Sequence, residues 1–263
     1  MGSTMSLNFH FHSIGLFQGP TKNEYDIPRQ GIFSEQSGIL ILNEKQNFEQ
    51  ALQGLQDFSR IWIIYVFHHH SHWKPMVLPP RSEKKVGVFA SRSPYRPNAV
   101  GICPARLLKI QGRKIFVDQV DLLDGTPILD IKPYIPESDS FPSEKIGWLK
   151  SVQTWKIDYT ELARCQFLFL EKDLPFLKSF AETQLSTDPL NHKKKRIHYD
   201  PMTQTGVLSY RTWRIQFQIK KQGRIRILKL GTGYSPQDLE SQLDPYEDKT
   251  LHLLYRWAFQ DQE

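Results

Sequence analysis

The sequence predicts a mainly β protein in which a small closed or partly closed β-barrel forms the N-terminal domain and a smaller α+β domain follows. From Asn8 to about Tyr134, short apolar or alternating segments are separated by joints that contain Gly and Pro. Many short strands with only one or two helices are typical of a barrel. No GxGxxG follows any of these segments, so a doubly wound nucleotide-binding sheet has no support.

The strand segments can be read in order along the first half of the chain. They are NFHFHSIG, which alternates, GILIL, which is β-branched, RIWIIYVF, which is continuously apolar, and KIFVDQVDLL, which alternates again. Between the second and the third, Phe48, Leu52 and Leu55 recur at helical spacing, and Asn47 precedes them as an N-cap. This segment is the one helix that the pattern predicts for the first half.

A stretch rich in Pro, Ser and acidic residues, 133–148, predicts an irregular crossing between two domains, 1–150 and 151–263. The second domain begins with two helical segments that are broken near Pro175. A basic loop, NHKKKRIHYDP, comes next, followed by two predicted strands, VLSYRTWRIQFQIKK and RIRILKL, joined by a Lys-Gln-Gly turn. One more helix is expected after Tyr234.

The overall composition is that of an ordinary globular protein with a basic balance. Lys and Arg outnumber Asp and Glu by 34 to 28, which gives a net charge of +6. This balance favours a polyanionic partner, although a merely basic surface explains it equally well. The two cysteines, Cys103 and Cys165, lack a metal-binding spacing, and no apolar run has membrane-spanning length. We therefore expect a cytoplasmic protein without disulfides, without a membrane segment and without a metal.

The segment GVFASRSPYRPNAVG, 87–101, begins like a buried strand and continues as a rigid, charged loop. Its prolines fix φ and remove backbone donors, so the loop has one extended shape. Arg92 and Arg96 on such a loop are suited to bidentate binding of a carboxylate or phosphate. The alternative is a surface loop with solvated arginines.

Two further clusters lie at predicted strand ends. In DLLDGTPILDIKP, Asp121 and Asp124 are either a carboxylate pair at the barrel rim or parts of an ordinary hairpin turn at Gly125. In FHHHSHW, neighbouring histidines on a strand point to opposite faces, which disfavours a metal site and favours a polar rim. This cluster contains His68, His69, His70 and His72.

A basic patch with interspersed aromatic residues follows in the second domain. The run HKKKR, 192–196, is close in sequence to Tyr199, Tyr210, Arg211, Trp213 and Arg214. Basic and aromatic side chains together serve phosphate neutralisation and base stacking in RNA binding. A solvated charge run is the competing interpretation.

Four motifs in order carry a resemblance to a known family. PRQG (28–31), WIIYVFHHH (62–70), GVFASRSPYRPNAVG and DLLDGTPILDIKPY (121–134) are similar to the blocks of the TrmO/YaeB-type (TsaA-like) tRNA N6-threonylcarbamoyladenosine methyltransferases. The resemblance implies a β-barrel methyltransferase that uses S-adenosyl-L-methionine and acts as a homodimer. Its substrate would be N6 of threonylcarbamoyladenosine next to the anticodon of threonine-accepting tRNA. The basic patch, rather than the resemblance, indicates that the second domain contacts the tRNA.

The same resemblance implies a set of site residues. Cofactor contacts are expected at Pro28, Arg29, Gln30, His68, His69, Arg92, Ile102, Asp121, Leu122, Leu123 and Asp124. Asp121 or Asp124 is the candidate catalytic base, with His69 as the reserve, because a urea nitrogen needs help to lose its proton. Arg92 or Arg96 would hold an anionic group. Substrate contacts are expected at Arg96, Asn98, Lys132, Lys194 and Arg196.

Two other functions remain open from the sequence. One is a basic β-barrel module that binds RNA without catalysis, and the other is a methyltransferase of the same fold that acts on another substrate. The run of three histidines, where relatives often carry His-Gln, and the divergent second domain are departures from the family pattern.

Overall fold

The computed structural model describes residues 8–22, 36–79, 82, 84–152, 154–187, 189–190 and 196–259. The chain divides into two compact units, Met1–Ser151 and Val152–Glu263. A closed six-stranded barrel in the first unit confirms the predicted mainly β class. Among the residues that the model describes, no helix combines the length and the apolar character needed to cross a membrane.

The barrel is built from six antiparallel strands, in the order β1-β2-β7-β6-β3-β8. Their bounds are β1 Gly15–Gln18, β2 Ser37–Leu42, β3 Arg60–Val66, β6 Val100–Gln111, β7 Lys114–Asp118 and β8 Pro127–Pro133. A separate ribbon pairs β4, Met76–Val77, with β5, Val86–Gly87. The first unit also contains short helices, namely α1 Phe48–Ala51, α2 Pro136–Asp139 and 3₁₀ turns at Leu55–Asp57, Val88–Ala90 and Gly147–Ser151.

Strand alternation explains how the barrel interior is filled. On β3, Ile61, Ile63 and Tyr65 are buried, whereas the intervening residues are half-exposed. The predicted helix after β2 is shorter than its pattern suggested, because Gly54 adopts φ 84° and ends it. Asn47 occupies the N-cap position at φ 56°, but its side chain makes no capping hydrogen bond.

Three connections leave the barrel at one end, which we call the site end. Because neighbouring strands are antiparallel, β1, β3 and β7 run toward this end, and β2, β6 and β8 start from it. The site end therefore carries the connections 19–36, 67–99 and 119–126. These connections contain most of the motif residues that the sequence singled out.

The prediction of a core strand at the start of GVFASRSPYRPNAVG is wrong. Only Val86–Gly87 is strand, and a 3₁₀ turn at Val88–Ala90 follows. This turn directs Val88 inward, at 2% exposure, and leaves Phe89 75% exposed. The apolar residues of this segment belong to a loop that is anchored by the buried side chain of Val88.

The second unit is a five-stranded sheet with helices on one face. Its elements are β9 Lys156–Tyr159, α3 Glu161–Leu170, α4 Leu177–Thr187, β10 Ile197–Asp200, β11 Thr205–Tyr210, β12 Trp213–Lys220, β13 Arg224–Thr232, α5 Pro236–Glu240 and α6 Lys249–Ala258. The strand order is β10-β11-β12-β13-β9, and β9 is parallel to β13. Side chains of α3, α4 and α6 form one core with the inward side chains of the sheet. This is the expected α+β arrangement, with the two helices broken around Pro175.

The predicted long strand VLSYRTWRIQFQIKK is in fact two strands, β11 and β12. Arg211 adopts φ 50° and reverses the chain between them. Tyr210 and Trp213 on either side are 4% and 0% exposed and lie in the core. The prediction that these aromatic residues stack on RNA bases is therefore wrong, because strand alternation turns them into the core.

Candidate active site

Arg92 and Asp121 lie on different connections, and both influence the pKa values of Tyr65 and Cys103 at the site end. Tyr65 on β3 lies opposite Gly101, and Cys103 on β6 lies opposite Ile63. Burial is the main cause that raises the pKa of Tyr65 and of Cys103. The negative charge of Asp121 raises both pKa values further, whereas the Arg92 guanidinium opposes that rise. Arg92 and Asp121 thus both lie close enough to Tyr65 and Cys103 to influence their pKa values.

The two arginines of the rigid loop have different surroundings. Nη1 of Arg96 donates to the carbonyl oxygen of Ser91 at 2.8 Å and to that of Val88 at 3.2 Å. Its guanidinium also lies 5.7 Å from the ring centroid of Phe89. Arg92 is exposed and forms no salt bridge with any residue that the structure describes. Arg96 therefore holds the loop together, and Arg92 is available to a ligand.

The two aspartates also differ. Asp124 Oδ1 accepts a hydrogen bond from the Gly19 N–H at 3.1 Å, and the Asp124 N–H donates to the Thr21 carbonyl at 2.8 Å. Asp124 thus fastens the β7–β8 connection to the β1–β2 connection. Asp121 is hydrogen-bonded to Cys103 and has one buried carboxylate oxygen. The turn at Gly125, with φ 77°, and the carboxylate pair therefore coexist in one loop.

Buried polar residues that the sequence did not reveal connect the same loops. Gln36 is 1% exposed, and its Nε2 donates to the Leu122 carbonyl oxygen at 2.8 Å. The Thr21 hydroxyl, in a residue that is 4% exposed, donates to Oε1 of Gln36. Leu122 itself is buried, and Leu123 is half-exposed. Thr21 and Gln36 lie where the β1–β2 connection leaves and rejoins the barrel, beside the Asp121–Asp124 loop.

The histidine cluster follows the end of β3 and contacts the rigid loop 87–101, which we call the arginine loop. The strand ends at Val66 and a turn follows, so strand alternation does not separate these side chains. The rings of His68 and His69 are exposed, with centroids 4.1 Å apart. His70 and His72 contact Tyr95 of the arginine loop, with ring centroids 5.0 and 5.4 Å away. Within the described ranges, no group of three or more His, Cys, Asp or Glu side chains could hold a metal ion.

The remaining predicted residues are placed as follows. Pro28, Arg29, Gln30 and Lys194 lie outside the described residues. Asn98 is exposed just before β6, at the site end, whereas Ile102 is 44% exposed and points outward, opposite to Cys103. Lys132 lies far along β8 and pairs with Asp130 at 2.8 Å, so it is not part of the cluster. Arg196 belongs to the second unit, where its guanidinium lies 5.7 Å from the Phe180 ring centroid.

Gly101→Ala is expected to destabilise the barrel, because the new Cβ would lie 2.3 Å from the ring of Tyr65. Overpacking of this kind costs about 1–3 kcal/mol in a well-packed interior. Urea unfolding of the first unit should therefore show a lower midpoint. Gly87→Ala is the matched control, since a Cβ there has no neighbour within 4 Å. Equal midpoints for the two variants would contradict the placement of Tyr65.

The fold, together with the polar residues Arg92, Asp121 and Asp124 at one end of the barrel, defines a β-barrel protein with a candidate polar site at that end. The family model for the tRNA-methyltransferase O N-terminal domain matches residues 16–140. The Escherichia coli tRNA (adenine(37)-N6)-methyltransferase is 34% identical over 224 residues, which are 81% of this chain and 92% of that protein. The chain therefore belongs to the TrmO family, as its motifs suggested.

Two further relatives agree with this assignment. A Pyrococcus abyssi protein named "Probable S-adenosyl-L-methionine-binding protein" is 39% identical over 142 residues, covering 53% of this chain and 76% of the relative. The crystal structure of TrmO from Pseudomonas aeruginosa is 26% identical, with a TM-score of 0.55. That comparison covers 86% of this chain and 100% of the solved one.

Proposed function

We propose that the protein is an S-adenosyl-L-methionine-dependent tRNA methyltransferase that acts on N6 of adenine 37. The observation that carries the proposal is the likeness to the Escherichia coli tRNA (adenine(37)-N6)-methyltransferase over 92% of that protein's length. More finely, we propose that the methylated adenine carries the threonylcarbamoyl group, in threonine-accepting tRNA. The enzyme would work in the cytoplasm as a homodimer, a part of the proposal that rests on the family resemblance.

The residues at the site end fit the chemistry of the proposed cofactor. S-adenosyl-L-methionine supplies an electrophilic methyl group on a sulfonium cation, and it also carries an amino-acid carboxylate. Asp121 offers a carboxylate of opposite charge to the cation, and exposed Arg92 offers a guanidinium fork for the carboxylate. Both charges act on the same buried pair, Tyr65 and Cys103, so they lie within reach of one ligand.

In this proposal each charged side chain has a separate role. The N6 nitrogen of a threonylcarbamoyl adenine belongs to a urea and is a poor nucleophile, so its proton must be removed as the new bond forms. Asp121 would accept that proton while the cofactor's S–CH3 bond breaks and its sulfur leaves as a neutral thioether, and Arg92 would hold the cofactor by its carboxylate. Asp124 acts indirectly, by holding the β1–β2 connection through Gly19 and Thr21. Tyr65 and Cys103 form the buried floor that keeps water away from the reacting atoms.

A methylation assay tests the proposal. The purified protein would be incubated with S-adenosyl-L-methionine and tRNA from a strain that lacks the enzyme, and the tRNA would be digested for nucleoside mass spectrometry. N6-methyl threonylcarbamoyladenosine in the threonine tRNA fraction is the expected product. Cofactor-independent RNA binding without product would favour the non-catalytic module instead. Cofactor binding without tRNA methylation would favour a methyltransferase for another substrate.

A further inference from the structure

The sheet of the second unit has two faces of opposite character. One face packs on the helices and supplies the apolar core. Alternate positions of the strands present polar side chains on the other face, which we call the basic face. Its charged members are Lys156, Asp158, Asp200, Arg214, Lys220, Arg224, Arg226 and Lys229. A bulge between Gln216 and Phe217 keeps Lys229 on this face, opposite Gln216.

Most of the cationic side chains on the basic face are not paired with an acidic side chain among the described residues. The face carries six cationic and only two acidic side chains. Arg224 pairs with Asp158 at 3.4 Å. In the part of the chain that the structure describes, Lys156, Lys220, Arg226 and Lys229 form no salt bridge. A surface with this charge imbalance is complementary to a polyanion.

The chemistry of the basic face distinguishes between modes of RNA binding. Proteins that bind unstacked bases present aromatic side chains for stacking. Here Tyr210 and Trp213 point into the core, and the face between the cations is formed by Gln216, Gln218 and Val207. The exposed imidazole of His198 also belongs to this face, but it lies on the edge strand β10. Amide and cationic side chains bind phosphate and ribose oxygens and do not require bases to be splayed out.

We propose that the basic face of the second unit binds the sugar-phosphate backbone of a helical segment of the RNA substrate, an inference that rests on the proposed function. Arg226 and Lys229 lie on β13, between β12 and β9, and neither forms a salt bridge with a residue that the structure describes. They supply phosphate contacts without reading sequence. The predicted basic patch around HKKKR contributes Arg214 to this face, whereas Arg196 is turned toward Phe180.

Salt-dependent binding of unmodified tRNA tests the inference. The double variant R226Q/K229Q should reduce the slope of log Kd against log salt concentration by about 1–2, because each lost phosphate contact removes roughly one released counterion. The KM for tRNA should rise about tenfold near physiological salt, while kcat and the cofactor Kd stay unchanged. Val207→Lys adds a charge to the same face and should increase the slope.

The matched control is R164Q/K172Q, which removes the same charge from α3 and the turn after it, on the helical side of the sheet. The control should bind tRNA with the wild-type salt slope. Equal slopes for all variants, or an equal loss in the control, would overturn the inference even if methylation is intact. Conversely, the expected slope change in R226Q/K229Q, combined with a wild-type protein that never methylates tRNA, would refute the proposed reaction and support RNA binding by the basic face.

Discussion

Asp121→Asn is expected to lower kcat by about 10²- to 10⁴-fold, the usual contribution of a positioned general base. The amide has nearly the shape of the carboxylate, so the barrel should unfold at the same urea concentration as the wild type. Asn cannot take the N6 proton, and it also removes the negative charge that faces the cationic cofactor. Single-turnover methylation of the undermethylated tRNA would measure the chemical step, and equilibrium titration would measure cofactor binding.

Two other aspartates make this prediction specific. Asp130→Asn removes a carboxylate that pairs with Lys132 at the surface of β8, and we expect wild-type turnover from it. Asp124→Asn weakens the hydrogen bond to the Gly19 N–H, so its main effect should be on cofactor affinity. A normal rate for Asp121→Asn, combined with a lost rate and intact cofactor binding for Asp124→Asn, would transfer the role of the base to Asp124.

The mainly β barrel could be predicted from sequence because several strands are short apolar or alternating segments joined by Gly and Pro. The segment NFHFHSIG was predicted as a strand but β1 begins only at Gly15, and the long strand β6, Val100–Gln111, was not predicted. The convergence of 19–36, 67–99 and 119–126 at one end could not be predicted, since it depends on which strands pair. The resemblance to a family assigned residues of these connections to one site. The antiparallel order β1-β2-β7-β6-β3-β8 explains why the three connections lie at the same end of the barrel. Thr21 and Gln36 escaped notice because a buried polar residue has no signature in a loop sequence.

The sequence pattern alone also could not show which side chains of one segment point into the core and which point to the surface. The alternation of aromatic and basic residues around Tyr210 and Arg214 looked like one mixed surface. In the folded sheet it is two surfaces, because successive residues of a strand point to opposite faces. Likewise, Asp121 and Asp124 were equally good candidates for the catalytic base from sequence alone. Only the hydrogen bonds of Asp124 to the backbone of Gly19 and Thr21 distinguish the two.

Arg92→Ala is expected to raise the Kd for S-adenosyl-L-methionine about 10- to 100-fold, since hydrogen bonds to charged groups contribute about 1.5–3 kcal/mol. Stability should not change, because Arg92 is exposed and forms no ion pair with a residue that the structure describes. Arg92→Lys should recover only part of the affinity, because an ammonium cannot make the bidentate contact of a guanidinium. Isothermal titration with the demethylated cofactor, which keeps the carboxylate, would measure the effect without turnover.

Arg96→Ala is the internal comparison, and it should produce the opposite signature. Its guanidinium bonds to the carbonyl oxygens of Val88 and Ser91, so its loss should destabilise the loop and lower the unfolding midpoint. A weakened cofactor affinity in this variant would follow from loop disorder, and it should recover at lower temperature. An unchanged cofactor Kd in Arg92→Ala, together with a raised KM for threonylcarbamoylated tRNA, would show instead that Arg92 binds the carboxylate of the substrate. The pair of variants therefore assigns each arginine by which quantity it changes, since a ligand-binding side chain alters Kd and a loop-holding one alters stability.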